Sequence, residues 1–509
     1  MKVLLAVNSE YGQANVFLAL GHALQAHDAA VQIHFASFGP IAGDVSNASD
    51  YSVRSSPGAQ PWVFHQLDGP AFLEAAENID SDIKLGEAIV KPPTFFNVLE
   101  MLKLTPRLLL PWSGSEFLKI CQSLSRVVDE VQPDIIAVDS LFSPGLTVCR
   151  HRRLKYLVFS PNTLKDFSAV SQPWGGVFWK LPAMGSGFPF PVPLRCIPAN
   201  IIYVLCAIYH SLRNGAVRAV AAQVKRELGG AELVTFEDII LRPPADLRIL
   251  VANRPEVDFP VVVPKHLTAC GPVIRPVPSV ADVDPELDAW LKRGPTVFIS
   301  LGTHRMMPEP EALEMAEAVR QLLEAAEAKQ EADGADKAVG GIPGKLQVIW
   351  KLMKPAGATW GIGPGSKVHG VLAQALAADQ VRIVDWVKPQ PSAVLLSGTV
   401  VCSVNHGGAN SFHDALTSGI PQVVLPPWMD CYDFASRAEV LGIGRWGNQK
   451  TMPACTALEL GPILIDVVLG PKAPAMRARV QELAALCAKS PGAAVAAAAV
   501  LEEAGAGKA

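Results

Sequence analysis

The apolar positions along the chain follow two spacings that take turns. Residues 3–7 form an unbroken apolar run of strand length that stops at polar Asn8-Ser9-Glu10, and Val16, Leu20 and Leu24 then recur at helical spacing. Residues 31–35 read as a second buried strand and 62–67 as a weaker third. A helix over 116–131 leads to a strand over 134–139, and 156–159 is one more strand. Such alternation predicts a doubly wound parallel sheet. Residues 160–200 interrupt it with several prolines and with Trp174, Phe178, Trp179, Phe188 and Phe190, which reads either as a functional loop or as a packed insertion. The pattern restarts near 247–251. Residues 252–275, with Pro255, Pro260, Pro264 and Pro272, read as an interdomain linker.

The second half repeats the alternation. Strands are predicted over 296–300, 347–351, 381–385, 400–404 and 422–425, with a helix from 309 to about 328. The Ala-, Gly-, Glu- and Lys-rich stretch 324–345 reads as a mobile surface insertion. The end of the sequence is helical over 473–488 and then alanine-rich. The expected architecture is α/β, with two doubly wound Rossmann-like domains facing across a cleft. Their expected ranges are 1–264 and 265–472, with 473–509 as a helix and tail. Ligands of such sheets bind outside the carboxyl ends of the strands, so the cleft is the natural site.

Composition narrows the classes. A length of 509 residues suits two domains, and 50% hydrophobic against 18% charged residues excludes a disordered chain. The net charge of −4 lacks the excess that broad nucleic-acid binding uses. The nine cysteines include no C-x-x-C pair, so neither a disulfide scaffold nor a structural zinc is expected. The first strand begins at once and leaves no room for a signal peptide, so a cytoplasmic protein is expected. No continuous run reaches the roughly 20 apolar residues of a membrane helix. The nearest, 197–209, reads as a core helix, an acceptor-pocket wall or a weak membrane-surface contact.

The most informative segment is Val404-Asn405-His406-Gly407-Gly408-Ala409-Asn410-Ser411-Phe412-His413-Asp414, which follows a strand and opens a helix. Gly407 and Gly408 let the backbone approach a ligand closely. Asn410 or Ser411 falls at the helix start, where free N–H groups and the helix dipole favour an anion. Asp414, one turn on, can accept hydrogen bonds from a pair of hydroxyls. Phosphates at the helix mouth with a diol at the carboxylate describe a nucleotide. The alternative is that Ser411-x-x-Asp414 is a capping box.

This segment resembles the signature of the family 1 UDP-glycosyltransferases, which have the GT-B fold. Asp385-Trp386 is followed by Gln390, His406 to Ser411 matches H-x-G-x-N-S, and Asp414 stands at the Glu position. Gly419-Ile420-Pro421 matches G-x-P, and Pro427-Trp428-Met429-Asp430 leads to the D-Q position. Ser300-Leu301-Gly302-Thr303 is similar to the family's phosphate-contacting turn. Residues 15–17, 187–193 and 428–432 look most like the fungal branch. The resemblance implies that Trp386 stacks on uracil and Gln390 edges the base. It implies that Thr303, His406, Asn410 and Ser411 hold the diphosphate, with Gly408 in the turn. Asp414 would hold the ribose, and Asp430 the sugar hydroxyls.

Two departures stand out. Cys431 replaces the donor-sugar Gln, and a thiol cannot supply that amide's paired hydrogen bonds. Gln13 falls where plant members carry the His that serves as general base, and an amide is no base. Asp139 matches the carboxylate that partners this His, so it is read as the base, directly or through a water, or else as a strand-end turn residue. Gln13 is read as positioning acceptor or sugar, with Glu10 as an outside candidate for the base. Asp282-Val283-Asp284 looks like a D-x-D metal motif but precedes a helix, where carboxylates suit the dipole.

The reading is a metal-independent, inverting, UDP-sugar-dependent glycosyltransferase. It moves a hexose, glucose being the first expectation, onto a hydroxyl of a hydrophobic small-molecule acceptor held by residues 160–200. It needs no cofactor beyond the UDP-sugar co-substrate. Sterol, polyketide, lipid and phenolic acceptors stay open. The alternatives are a GT-B-fold nucleotide-sugar isomerase and a non-catalytic UDP-sugar binder.

Overall fold

A computed structural model of the chain describes residues 1–78, 89–333 and 339–506. The first sheet holds β1 (Lys2–Ala6), β2 (Gln32–Ser37), β3 (Val63–Gln66), β4 (Ile135–Asp139), β5 (Tyr156–Ser160), β6 (Ile249–Val251) and β7 (Leu267–Ala269). The second holds β8 (Thr296–Ser300), β9 (Gln347–Lys351), β10 (Val381–Val384), β11 (Val400–Asn405), β12 (Gln422–Val424) and β13 (Gly444–Trp446). Neighbouring strands run parallel, in the orders β3-β2-β1-β4-β5-β6-β7 and β10-β9-β8-β11-β12-β13. Each order reverses once, between β1 and β4 and between β8 and β11, which opens a crevice at the carboxyl end of the sheet.

The strand composition follows from helices covering both faces. Along β1, Leu4 and Ala6 face a core with Phe38, Trp112 and Phe142. Val3, Leu5 and Val7 face another with Phe17, Phe35 and Phe159. The strand period of two therefore feeds two cores, and the run reads as continuously apolar. In the second sheet β8, β9 and β11 are buried along their whole length.

Several elements differ from the sequence expectation. β7 lies within the stretch read as linker, beyond the expected boundary at 264, and pairs with β6. Three residues between prolines carry too little periodicity to show as a strand. The helix Glu309–Asp333 runs on into the low-complexity stretch, because its Ala, Glu and Lys residues are good helix formers. The central part of that stretch, 334–338, lies outside the described residues. The alanine-rich tail is a helix, Gly492–Gly505. Ala496, Ala497, Val500 and Ala504 are buried in the core that holds Phe17, Leu20 and Leu24 of the helix Tyr11–His27. Gly492 permits the crossing, since a Cβ there would lie 2.3 Å from the Gly271 carbonyl oxygen.

Two helical stretches, Leu194–Glu227 and Ala473–Gly505, are long and apolar enough to cross a membrane by length and composition. Neither shows as an unbroken apolar run, because polar residues interrupt both. The first bends at Asn214 (φ −61°, ψ 117°) and the second at Ser490 (φ −143°, ψ 80°).

The helix Cys431–Val440 carries several of the contacts between the domains. Arg437 makes a fully buried ion pair with Asp258 at 2.8 Å. Asp433 pairs with Lys165. Ser436 Oγ accepts the Phe190 N–H at 2.9 Å, and the Phe190 ring stacks on Phe259 at 4.5 Å. Phe190 of the aromatic loop is thus an interdomain contact.

Candidate functional site

The donor-side residues converge at the carboxyl ends of β8 to β12. After β11 the chain turns at Gly407 (φ +79°) into the helix Ala409–Thr417, whose N-cap is Gly408. A Cβ on Gly407 would lie 2.8 Å from Val424 and 2.9 Å from the Cys431 carbonyl oxygen, so the turn requires glycine. No side chain caps this helix, so the Ser411-Asp414 capping box does not form and the first N–H groups stay open.

The His406 ring sits between two glycines. A Cβ on Gly302 would approach it to 2.7 Å and one on Gly408 to 2.5 Å. Burial pushes its pKa down to about 4, with His304 and Lys351 adding to the effect. The imidazole is therefore neutral at working pH and offers an N–H or a lone pair, not a charge. Its Nδ1 is buried with no partner.

The cation at this site was missed in the sequence. Lys351 ends β9 and is buried, with Nζ 3.3 Å from the Gly302 carbonyl oxygen and 3.9 Å from the Trp386 ring centroid. Burial lowers its pKa. The available signal was a lysine closing the apolar run Gln347-Val348-Ile349-Trp350-Lys351 on a strand whose carboxyl end faces the cleft. Trp386 is 56% exposed, with Lys351 against its ring. Gln390 is exposed just before the helix Pro391–Leu395, and Thr303 is half-buried in the turn after β8.

Asn410 is in the first turn of the helix Ala409–Thr417, and its side chain is engaged by the other domain. Its Nδ2 donates to the carbonyl of Tyr11 at 3.0 Å and of Gly12 at 3.5 Å, which ties the donor helix to the start of the first helix. Ser411 and Asp414 are half-buried. Burial alone raises the Asp414 carboxyl to about 7, with no hydrogen bond or cation to offset it. Asp430 occupies the cap position of the helix Cys431–Val440 without using its side chain as a cap. Burial, then the charge of Asp166, raise it to about 7. Cys431 is a buried thiol pushed well above its ordinary value, hence neutral.

Across the cleft, Asp139 ends β4 and is fully buried. It accepts Asn8 Nδ2 at 3.2 Å and the Leu141 N–H at 3.0 Å. Burial raises it to about 7 against these bonds, and the Glu10 charge raises it further. Glu10 precedes the helix Tyr11–His27 and is itself raised by burial. One of its oxygens accepts the Leu73 N–H at 3.0 Å, and the other is buried without a partner. Gln13, one turn into the helix, has its Oε1 buried without a partner, as has the Asn8 Oδ1. Buried polar atoms are normally paired, so orphan oxygens and nitrogens on Asn8, Glu10, Gln13 and His406 mark a place built for a ligand or water.

The first domain also holds a mostly apolar cavity of about 200 Å³, walled by Leu102, Val204, Ile208, Phe236 and Ile240. Lys165 and Asp166 also line it, and Asp166 is the residue whose charge reaches Asp430. A larger polar crevice of about 710 Å³ around Arg293, Arg320 and Gln347 lies at the amino-terminal edge of the second sheet, away from every motif residue. Asp282 caps its own short helix through Ser279, and Asp284 accepts the Leu287 N–H at 3.1 Å.

Comparison with known proteins identifies the family. Residues 370–501 match the family described as Erythromycin biosynthesis protein CIII-like, C-terminal domain. The glycosyltransferase sdnJ of Sordaria araneosa is 32% identical over 478 residues, covering 91% of this chain and 87% of that protein. The chain is a UDP-glycosyltransferase of family 1. Two solved structures share the fold along 99% of this chain and 98% of their own. One is a UDP-glucosyltransferase from Polygonum tinctorium at a TM-score of 0.62 and 15% identity. The other is TcCGT1 in complex with UDP, at 0.61 and 15%. The GT-B fold, the glycosyltransferase activity and the likeness to fungal members thus agree with the motif.

Proposed function

We propose that this UDP-glycosyltransferase transfers a hexose, glucose first, from a UDP-sugar to a hydroxyl of a hydrophobic small molecule, with inversion and without a metal. The observation that carries this reading is the set of partnerless polar atoms on Asn8, Glu10, Gln13 and His406 at the strand ends, in a chain whose first domain also holds an apolar cavity. The cavity suits an apolar acceptor body, and the orphan groups suit its hydroxyl and the donor.

In this reading Trp386 presents an exposed ring for uracil to stack on, with Gln390 at the base edge. Asp414 accepts from the ribose hydroxyls. The open N–H groups at Ala409–Ser411, with Thr303, the neutral His406 and the Lys351 ammonium, stabilise the diphosphate as it leaves. Asp430 accepts from the sugar hydroxyls, and Cys431 adds only a neutral thiol. Asp139 takes the acceptor's proton while that oxygen attacks the anomeric carbon and the bond to UDP breaks. A carboxylate raised to about 7 is well matched to that task near neutrality. Gln13 positions the acceptor or the sugar.

The test is release of UDP from UDP-glucose with and without a panel of apolar alcohols and phenols, with the anomeric configuration of the product read by NMR. Acceptor-dependent release with an inverted product supports the reading. Another UDP-hexose used in preference to UDP-glucose corrects the sugar, and a retained configuration overturns the mechanism.

A further inference from the structure

We propose that the outer face of the helix Ile197–Arg213, with Trp174 and Trp179 beside it, docks on the surface of an anionic lipid bilayer. Leu194, Pro198, Ile202, Leu205, Tyr209 and Leu212 recur at steps of three and four and so form one stripe. All are exposed; Leu194 is 86%, Leu205 53% and Tyr209 60% accessible. The opposite face carries the buried Asn200, Tyr203 and Val204 and is fixed to the domain. Asn200 Nδ2 donates to the carbonyls of Phe178 and Leu181, each at 3.0 Å, which ties the helix to the segment bearing the tryptophans. Trp174 is 94% exposed. Contiguous apolar surface of this kind is rare on a protein that meets only water.

Charge identifies the occupant. Residues 167–226 contain no aspartate or glutamate and six lysines and arginines, in a chain whose acidic residues outnumber its basic ones. Arg195 and Arg213 stand at the two ends of the stripe, exposed and with no ion-pair partner among the described residues. Arg218 donates to the Leu212 carbonyl at 3.0 Å, which holds a third cation at the stripe's end. An apolar stripe with interfacial Trp and Tyr, bordered by cations, lies in the headgroup plane of an anionic membrane. A second copy of the chain fits less well, because residues 167–226 of each face would bring six cations and no carboxylate of their own; Glu232, Glu237 and Asp238 lie near the Arg218 end. The bend at Asn214 and the anchored inner face rule for lying on the bilayer over crossing it.

The test uses the full chain with vesicles of phosphatidylcholine alone or with phosphatidylglycerol, read by flotation. Binding is expected with the anionic vesicles and should weaken as salt rises. The double variant Leu205→Glu, Tyr209→Glu should lose at least tenfold in binding, and Arg213→Gln about fivefold. Both should keep UDP affinity, since neither touches the donor site. If the double variant does not fold, Arg213→Gln and the salt titration still decide. No binding at low salt, or equal binding to both vesicles, overturns the proposal. So does a parent dimer that the double variant turns into a monomer.

Discussion

The two strand-end edges that face each other across the cleft solve different problems with the same architecture. The donor edge is made of backbone. Gly302 and Gly408 leave room for His406, Gly407 makes the turn between β11 and the helix, and an uncapped helix start supplies N–H groups. The acceptor edge is made of side chains. Asp139 is buried at the end of β4, Glu10 and Gln13 are half-buried just after β1 with one oxygen each left without a partner, and burial raises both carboxyls. Burial acts on both edges. It takes the charge from His406 and raises Asp414 and Asp430 on one, and raises Asp139 on the other. Recognition of a fixed ligand is thus built from φ angles, and proton transfer from desolvation.

The largest expected effect separates the edges. Asp139→Asn keeps shape and removes basicity, so kcat should fall about 10²–10⁴-fold while UDP affinity by calorimetry stays unchanged. Turnover within about threefold of the parent would make Asp139 structural and move the base to Glu10. Asp414→Ala breaks the other edge. Loss of a hydrogen bond to a charged group, about 1.5–3 kcal/mol, should weaken UDP binding tenfold or more. Unchanged affinity in a folded variant would remove Asp414 from the donor site.

The pH profile sharpens the contrast. Asp139 works only when deprotonated, so the rate should rise about tenfold from pH 6 to pH 8, through the raised value of about 7. Stability should run the other way. Asp139, Asp414 and Asp430 hold their protons up to about 7 in the fold and lose them lower when unfolded. The Tm of the free protein should therefore fall as pH rises through that window. A flat rate profile in a fully saturated enzyme would separate Asp139 from the rate-limiting proton transfer. Smaller still, Lys351→Gln should weaken UDP binding about fivefold, near 1 kcal/mol, without altering the pH dependence. Excess EDTA should leave turnover unchanged, and activity lost to EDTA and restored by Mg²⁺ would revive a metal role.

The donor edge was legible because its geometry is spelled locally. A strand, two glycines and a helix start occupy adjacent positions, and β8, β9 and β11 each carry a run of three apolar residues in a strand buried along its whole length. Lys351 was not legible, since it reaches His406 from another strand. The engagement of Asn410 by the Tyr11 carbonyl joins residues far apart in sequence and depends on how the domains meet. Glu10 stood only as an outside candidate because burial, which makes it a neighbour of Asp139, leaves no mark on a local pattern. The short strands β7 and β13, three residues each, offer no periodicity to read. The helix Gly492–Gly505 was hidden for another reason: a run of alanines has the same pattern on every face.

That last helix reorders the assembly of the molecule. Lys155 beside β5 donates to the Ala504 carbonyl at 3.1 Å, and Val500 and Ala504 complete the packing over Leu20 and Leu24. In covalent order the second domain is therefore an insert within the first. During synthesis the first sheet emerges long before the segment that seals it, and waits with an apolar groove open while the whole second domain is made. Folding of the acceptor domain is then completed last, and the groove is the surface a chaperone would have to shield in the interval.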